Sequence, residues 1–141
     1  MDKRKNQRHS TIHSFEDLDV YKNAYAAMLR VFKEIIPFLP KEEEYDLKDQ
    51  LRRATKAVPR LIPEGFAKRH QIKGFQKYLD DARGESNEMI VSLRQCRDLY
   101  GSYVNSTTCE ELIDAYDKIS RQLFNLALSW EKNNKRKRVL Q

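Results

Sequence analysis

The strongest chemical signal in this sequence is a concentration of positive charge between residues 48 and 73. This stretch holds eight basic and two acidic side chains, a net charge of +6. Lysine and arginine at this density suit phosphate groups, because both bind anionic oxygens through charge-assisted hydrogen bonds. The predicted nucleic-acid-binding residues are Arg52, Arg53, Lys56, Arg60, Lys68, Arg69 and Lys73. Alternatively, these residues form a solvated helix face, in which Glu64 pairs with Arg60 or Lys68 four positions away.

Positive charge is also concentrated at both ends of the chain. Residues 1–13 carry four basic and one acidic side chain, and residues 131–141 carry five and one. Since the whole chain has a formal charge of +6, the remaining 117 residues sum to −1. We therefore expect a basic, disordered N-terminal tail over 1–13, a helical domain over 14–131 and a basic, disordered C-terminal tail over 132–141. Such tails bind polyanions without a dedicated site.

Catalytic or metal chemistry is not indicated. The two cysteines form no CxxC pair, and the three histidines do not have metal-ligand spacing. An acidic group lies in the third predicted helix at Asp80, Asp81, Glu85 and Glu88. It lacks the histidines and facing carboxylates of a di-iron bundle, so we interpret it as a polar face. With no glycine-rich phosphate loop or nucleophile motif, we predict a protein that is not an enzyme and has no cofactor or metal.

The composition favours one small helical domain. The chain has 141 residues, of which 40% are hydrophobic and 34% charged, with four glycines and four prolines. This length supports one core rather than two. No apolar run approaches the ~20 residues of a membrane span, and the polar N-terminus does not resemble a secretory signal. We expect a cytoplasmic protein with no membrane partner.

Four windows of helical periodicity must position the charged residues. Apolar residues recur at alternating intervals of three and four over 18–39, 47–65, 75–100 and 112–130. This spacing places one face of each helix against a partner. With short connections, it predicts an all-α fold, an antiparallel up-down four-helix bundle. In the first window the predicted core stripe is Leu18, Tyr21, Tyr25, Met28, Phe32, Ile35 and Leu39.

A second apolar stripe on the first helix is displaced by roughly 140° from this core stripe. A monomeric bundle has no obvious use for it, so we predict a subunit interface, since exposed apolar patches usually mark association. With part of a weaker stripe on the fourth helix, the predicted oligomer interface is Val20, Ala24, Ala27, Val31, Phe38, Phe124 and Leu128. The alternative is that these residues only broaden the core contact.

Two prolines and a glycine interrupt the second predicted helix. A proline inside a helix costs ~3 kcal/mol through a lost hydrogen bond and a steric clash. On a helical wheel Pro59 and Pro63 fall roughly 120–160° from the core stripe, on the outer side. We therefore predict a second helix bent at its prolines and curved toward the bundle axis. Gly65 lies on the inner stripe, where a missing side chain lets another backbone come close.

Several motifs resemble a known family. These are "SFEDLDVYKNA" at 14–24, "DLKDQLRRA" at 46–54, "VPRLIPEGFAKR" at 58–69, and "ARG" at 82–84 followed by Glu88. The order and content of these motifs are similar to those of bacterial four-helix-bundle proteins encoded in intervening sequences of large-subunit ribosomal RNA genes. More distantly, the chain resembles the accessory variability proteins of diversity-generating retroelements, which are ring-shaped, assist a reverse transcriptase and contact nucleic acid.

The resemblance implies the same fold, homopentameric rings and no known enzymatic activity. It makes Arg52, Arg53, Lys56 and Arg60 candidates for an RNA-facing surface. The chain departs from the family pattern in having Tyr21 where tryptophan is usual, Leu61 where asparagine is frequent and Pro63 where alanine is common.

Two functions follow from the sequence and the resemblance. The first is a ring-forming oligomer that binds nucleic acid, RNA in particular, through the basic face of the second helix. The second is a protein-interaction scaffold, for example an accessory subunit of a reverse transcriptase.

Overall fold

The computed structural model describes residues 12–140, and within that range the chain is helical, without a strand. Its four long helices are α1 (Asp19–Arg30), α2 (Leu47–Ala67), α3 (Ile72–Leu99) and α4 (Ser106–Leu140). Helix α1 packs against α2 and α4, and α3 packs against the same two helices. The predicted all-α fold with four helices is confirmed.

Helix α1 continues into irregular turns because of a proline. A π-helical turn covers Val31–Ile35, followed by a 3-10 turn at Ile36–Phe38. The Ile36 N–H bonds to the carbonyl of Val31, five residues back rather than four. Pro37 has no N–H, and its ring would clash with a carbonyl of a regular α-helix. The chain therefore leaves the helix here.

The core side of α1 differs from the prediction. Val20, Ala24, Ala27 and Val31 are at most 4% exposed, whereas Tyr25 of the predicted core stripe is 45% exposed. Two alanines let α1 approach its neighbours closely, and a tyrosine can keep its hydroxyl in water while its ring covers the surface. The assignment of Val20, Ala24, Ala27 and Val31 to a subunit interface is thus corrected: in this fold they are core residues.

The centre of the bundle contains a buried polar cluster. The hydroxyls of Thr55 on α2 and Tyr116 on α4 lie 2.5 Å apart, and Ser86 on α3 donates to the Tyr116 carbonyl at 2.9 Å. All three residues are fully buried. Because a buried hydroxyl without a partner is costly, these bonds fix how the three helices align.

Helix α2 runs without a break through both prolines. Pro59 is buried and Pro63 half-buried, so the predicted outward position is wrong for Pro59. The reason is that α2 packs between α1 and α3 and buries a second stripe, formed by Thr55, Pro59, Ile62 and Phe66. The close approach predicted at Gly65 is confirmed, since a Cβ there would lie 2.9 Å from the Cβ of Tyr78 on α3.

The predicted tails have different outcomes. Residues 1–11 of the predicted N-terminal tail lie outside the described residues. The predicted C-terminal tail, however, is helical: α4 continues through residues 132–140. A search of the helices within 12–140 finds none with the length and apolarity that crossing a membrane requires.

Candidate nucleic-acid interface

Two cations project freely from the outer face of α2. Lys56 and Arg60 lie one helical turn apart, and both are exposed. Within residues 12–140, no carboxylate lies close enough to either of them to form an ion pair. Glu64 pairs with neither Arg60 nor Lys68 in this part of the chain. These positions are therefore available to an external anion.

The two arginines at the N-terminal half of α2 have partners within the protein. Arg52 donates to the backbone carbonyl of Glu44 at 2.7 Å and lies 3.2 Å from the Glu44 carboxylate. Arg53 lies 3.8 Å from the carboxylate of Asp49, four positions back on the same helix. Hydrogen bonding from Lys48, followed by attraction to Arg52, lowers the pKa of Glu44. Arg52 thus ties the turn before α2 to the helix.

Two residues of the acidic group on α3, Glu85 and Glu88, lie beside the same part of α2. A groove of about 680 Å³ lies between the surfaces of the two packed helices, with Arg53 on one side and Glu85 and Glu88 on the other. Burial, and then repulsion from Glu88, raises the pKa of Glu85. The carboxylates across the groove reduce the positive potential around Arg53, so this region is a weaker anion site than its two arginines alone would make it.

The turn between α2 and α3, together with the first residues of α3, presents cations without such partners. These turn cations, all exposed, are Lys68, Arg69 and Lys73. The guanidinium of Arg69 lies 4.2 Å from the ring centre of Phe66 and donates to the Phe66 carbonyl at 2.9 Å. The ammonium of Lys68 lies 5.7 Å from the ring of Tyr78. Aromatic faces hold these cations by cation–π attraction and leave their charge uncompensated.

A residue that sequence reasoning treated only as the end of an apolar stripe joins α4 to this turn. The indole N–H of Trp130 donates to the Arg69 carbonyl at 3.0 Å. Its ring centre lies 5.1 Å from that of Phe75 and 6.4 Å from that of Phe66. The available signal was a single tryptophan two positions before Lys132, where the basic C-terminal segment begins.

Three residues of the predicted oligomer interface are exposed. Phe38, Phe124 and Leu128 lie on the surface, and so do Tyr25 and Leu29 on the outer side of α1. The ring of Phe124 is partly covered by the guanidinium of Arg83 on α3, at 5.0 Å. On α1 the exposed apolar side chains, Tyr25 and Leu29, thus lie on the side opposite the stripe that the sequence assigned to a subunit interface.

The fold and the charge distribution define a small all-α protein with free cations on one helix and the turn that follows it. The model of the 23S rRNA-intervening sequence protein family matches residues 16–125. This match covers most of the chain, and the protein belongs to that family; the resemblance seen in the motifs is confirmed. No curated protein matches the chain.

Proposed function

We propose that this protein is a non-enzymatic, ring-forming oligomer that binds nucleic acid, RNA in particular, through the cations of α2 and the following turn. One observation carries the proposal: the five predicted residues beyond Arg53 are exposed and have no carboxylate partner within 12–140. They are Lys56, Arg60, Lys68, Arg69 and Lys73. Arg52 and Arg53 lie at the edge of this surface, where internal pairing weakens them.

We also propose that the four helices run up and down in antiparallel order. Two pairs of contacts support this arrangement between α1 and α4: Asn23 bonds to Gln122, and Arg30, further along α1, bonds to the earlier Glu111. A later residue of α1 thus contacts an earlier residue of α4. Because Pro59 and Pro63 each remove a backbone hydrogen bond, we place a bend of α2 between them.

The proposed ring is a homopentamer located in the cytoplasm. The exposed apolar side chains of Tyr25, Leu29, Phe38, Phe124 and Leu128 support association. Two free, buried cysteines are in keeping with a reducing compartment. A ring would repeat the cationic surface, so that weak contacts by each subunit add to useful avidity on one RNA strand.

The chemistry of the surface favours the phosphate backbone over the bases. Lysine and arginine contacts to phosphates position a nucleic acid but carry little sequence information. We expect weak sequence preference and a logarithmic salt slope of about −0.7 per phosphate contacted on a single strand.

Charge reversal tests this proposal. Lys56→Glu with Arg60→Glu should weaken binding of labelled single-stranded RNA by at least about tenfold in 0.1 M salt. Lys33→Glu with Lys118→Glu, which changes charge equally at exposed positions away from α2, is the matched control and should have a smaller effect. Affinity that does not depend on salt, or equal losses in both variants, would show that the surface on α2 does not bind RNA.

The alternative function is a protein-interaction scaffold, for example an accessory subunit of a reverse transcriptase. The observation that favours it is the exposed apolar side of α1. The solution mass of the purified protein and its content of co-purified nucleic acid distinguish the two functions. A large oligomer that is free of nucleic acid and does not shift labelled RNA favours the scaffold.

A further inference from the structure

We propose that the C-terminal part of α4 and the α2–α3 turn form one phosphate-binding surface for single-stranded RNA, with Trp130 as the positioning residue that joins them. This inference rests on the proposed function and locates its strongest contact at one end of the bundle. It replaces the picture of a separate basic tail with that of a helical extension held beside the turn.

The contacts around Trp130 fix this arrangement. The indole of Trp130 bonds to the backbone of Arg69 in the turn and packs on Phe66 and Phe75. One residue later, Glu131 accepts a hydrogen bond from Gln76 on α3 at 3.3 Å. Consecutive residues of α4 therefore contact both sides of the turn, which sets the direction in which the helix continues.

The extension adds cations next to those of the turn. Lys132, Lys135 and Arg136 are exposed and follow Trp130 on α4. At 1.5 Å per residue, Lys132 to Arg136 lie about 3–9 Å beyond Trp130 along the helix axis. This is comparable with the ~8 Å Debye length at physiological salt, so the two groups of cations act on the same ligand.

Few carboxylates oppose these charges. The carboxylate nearest in sequence to Lys68 is Glu64 on α2, and the one nearest to Lys132 is Glu131. Glu131 binds Lys135 at 3.3 Å and Gln76. Lys132 and Arg136 have no carboxylate partner in this part of the chain. This contrasts with the N-terminal half of α2, where Glu44, Asp49, Glu85 and Glu88 surround two arginines.

Among the described side chains of 68–73 and 130–136 no large apolar side chain is exposed, which favours RNA over an acidic protein. Protein interfaces obtain most of their binding energy from buried aromatic or aliphatic side chains. A polyanion needs only cations and the release of counterions. The surface offers cations and, in those described positions, no exposed aromatic or aliphatic anchor.

The only tryptophan of the chain provides a local probe. Titration of the full-length protein with a 20-residue oligouridylate should change the emission of Trp130. The cations in the middle of α2 lie further away: Thr55 contacts Tyr116, fourteen residues before Trp130 on α4, or about 21 Å at 1.5 Å per residue. Binding confined to the middle of α2 would leave the emission unchanged, which would overturn the inference.

Two neutralised pairs test whether there is one surface or two. Lys68→Gln with Lys73→Gln removes turn cations, and Lys132→Gln with Arg136→Gln removes cations of the extension. Each pair should weaken oligouridylate binding about fivefold to tenfold in 0.1 M salt and reduce the salt slope by about 1.4. The combined variant should show the product, about 25-fold to 100-fold. With two independent sites, one of the pairs would leave the affinity unchanged.

The positioning role of Trp130 has its own test. Trp130→Phe keeps an aromatic ring but removes the N–H that bonds to Arg69. In this background, neutralising Lys132 and Arg136 should therefore reduce oligouridylate affinity by a smaller factor than in the wild-type protein. If Trp130 were merely structural, melting temperature would fall but the effect of that neutralisation would persist.

The outcomes separate the two proposals. If the wild-type protein shows no salt-dependent RNA binding, the proposed function fails and this inference with it. If it binds RNA with an affinity that does not change when Lys132 and Arg136 are neutralised, only this inference fails. If polyglutamate displaces RNA at equal charge concentration, the surface accepts acidic polypeptides equally well and the choice of RNA is overturned.

Discussion

The N-terminal half of α2 and the turn that follows this helix are both basic in the sequence and differ in the folded chain. Arg52 and Arg53, in the N-terminal half of α2, are held by Glu44 and Asp49 and lie beside an acidic groove. Lys68, in the turn, and Lys73, at the start of α3, are exposed and have no carboxylate partner within the described residues. The comparison teaches that the number of basic residues in a segment does not measure its capacity to bind an anion. That capacity depends on the cations that the fold leaves unpaired.

The two regions also differ in how closely α2 approaches α3. At Gly65, near the turn, the helices touch, whereas Gly84 faces the groove beside Arg53 and has open space around it. This contrast in packing and the contrast in pairing each lead to a prediction, and the charge on Glu85 leads to a third.

The same substitution should have opposite effects at the two glycines. Gly65→Ala should lower the free energy of unfolding by about 1–3 kcal/mol, because its Cβ would overlap the Tyr78 side chain. Gly84→Ala should raise it by about 0.5–1 kcal/mol, because alanine favours the helix and meets no neighbour. Urea unfolding followed by circular dichroism measures both. A loss of stability in both variants would show that the groove at Gly84 is not open.

Removing the carboxylate beside Arg52 should increase RNA binding. Glu44→Gln removes the carboxylate that pairs with Arg52 and Lys48 and keeps the backbone carbonyl to which Arg52 donates, so affinity for single-stranded RNA should rise about twofold to threefold with a slightly steeper salt slope. Glu42→Gln is the matched control, since Glu42 is exposed, lies two positions away and has no ion-pair partner in the described chain. An equal gain in both variants would mean that overall charge, rather than the loss of these two ion pairs, controls affinity.

The acidic side of the groove should give the smallest effect, a pH dependence of stability. Burial and Glu88 raise the pKa of Glu85 in the folded state above its unfolded value. The contribution of Glu85 to the stability of the fold is therefore complete below its unfolded pKa, and it is lost as the pH rises through its folded pKa. Glu85→Gln should therefore gain stability relative to wild type as the pH rises from below the ordinary pKa of glutamate to neutral pH. Thermal unfolding across this range, with Asp80→Asn as a control on α3, tests it; a difference that stays constant with pH would contradict it.

The helical architecture could be predicted from periodicity, but the buried side of α1 could not. Alternation of three and four predicted the core stripe of α2 at Leu47, Leu51 and Val58, all of which are buried. On α1 two stripes compete, and the buried one is Val20, Ala24 and Ala27. The buried members of the predicted core stripe, Leu18, Ile35 and Leu39, lie just outside α1. Small side chains at Ala24 and Ala27 permit close packing, a property that hydrophobicity does not measure.

The candidate site was predictable in its residue types and not in its pairing. The ion pair between Arg53 and Asp49 follows the i,i+4 rule and could be anticipated. The bonds of Arg52 to Glu44, eight positions back, depend on the turn that precedes α2. The bond of Trp130 to Arg69 joins positions that are 61 residues apart, and only the folded chain brings them together.

One measurement tests the central claim that the unpaired cations at the turn after α2 bind RNA. It compares the salt dependence of single-stranded RNA affinity in two variants that lose equal charge, Lys68→Gln with Lys73→Gln and Arg52→Gln with Arg53→Gln, each shown by circular dichroism to be folded. The account predicts a loss of about fivefold to tenfold for the lysine pair and less than about twofold for the arginine pair. A loss that is equal in the two variants, or larger for the arginine pair, would contradict it.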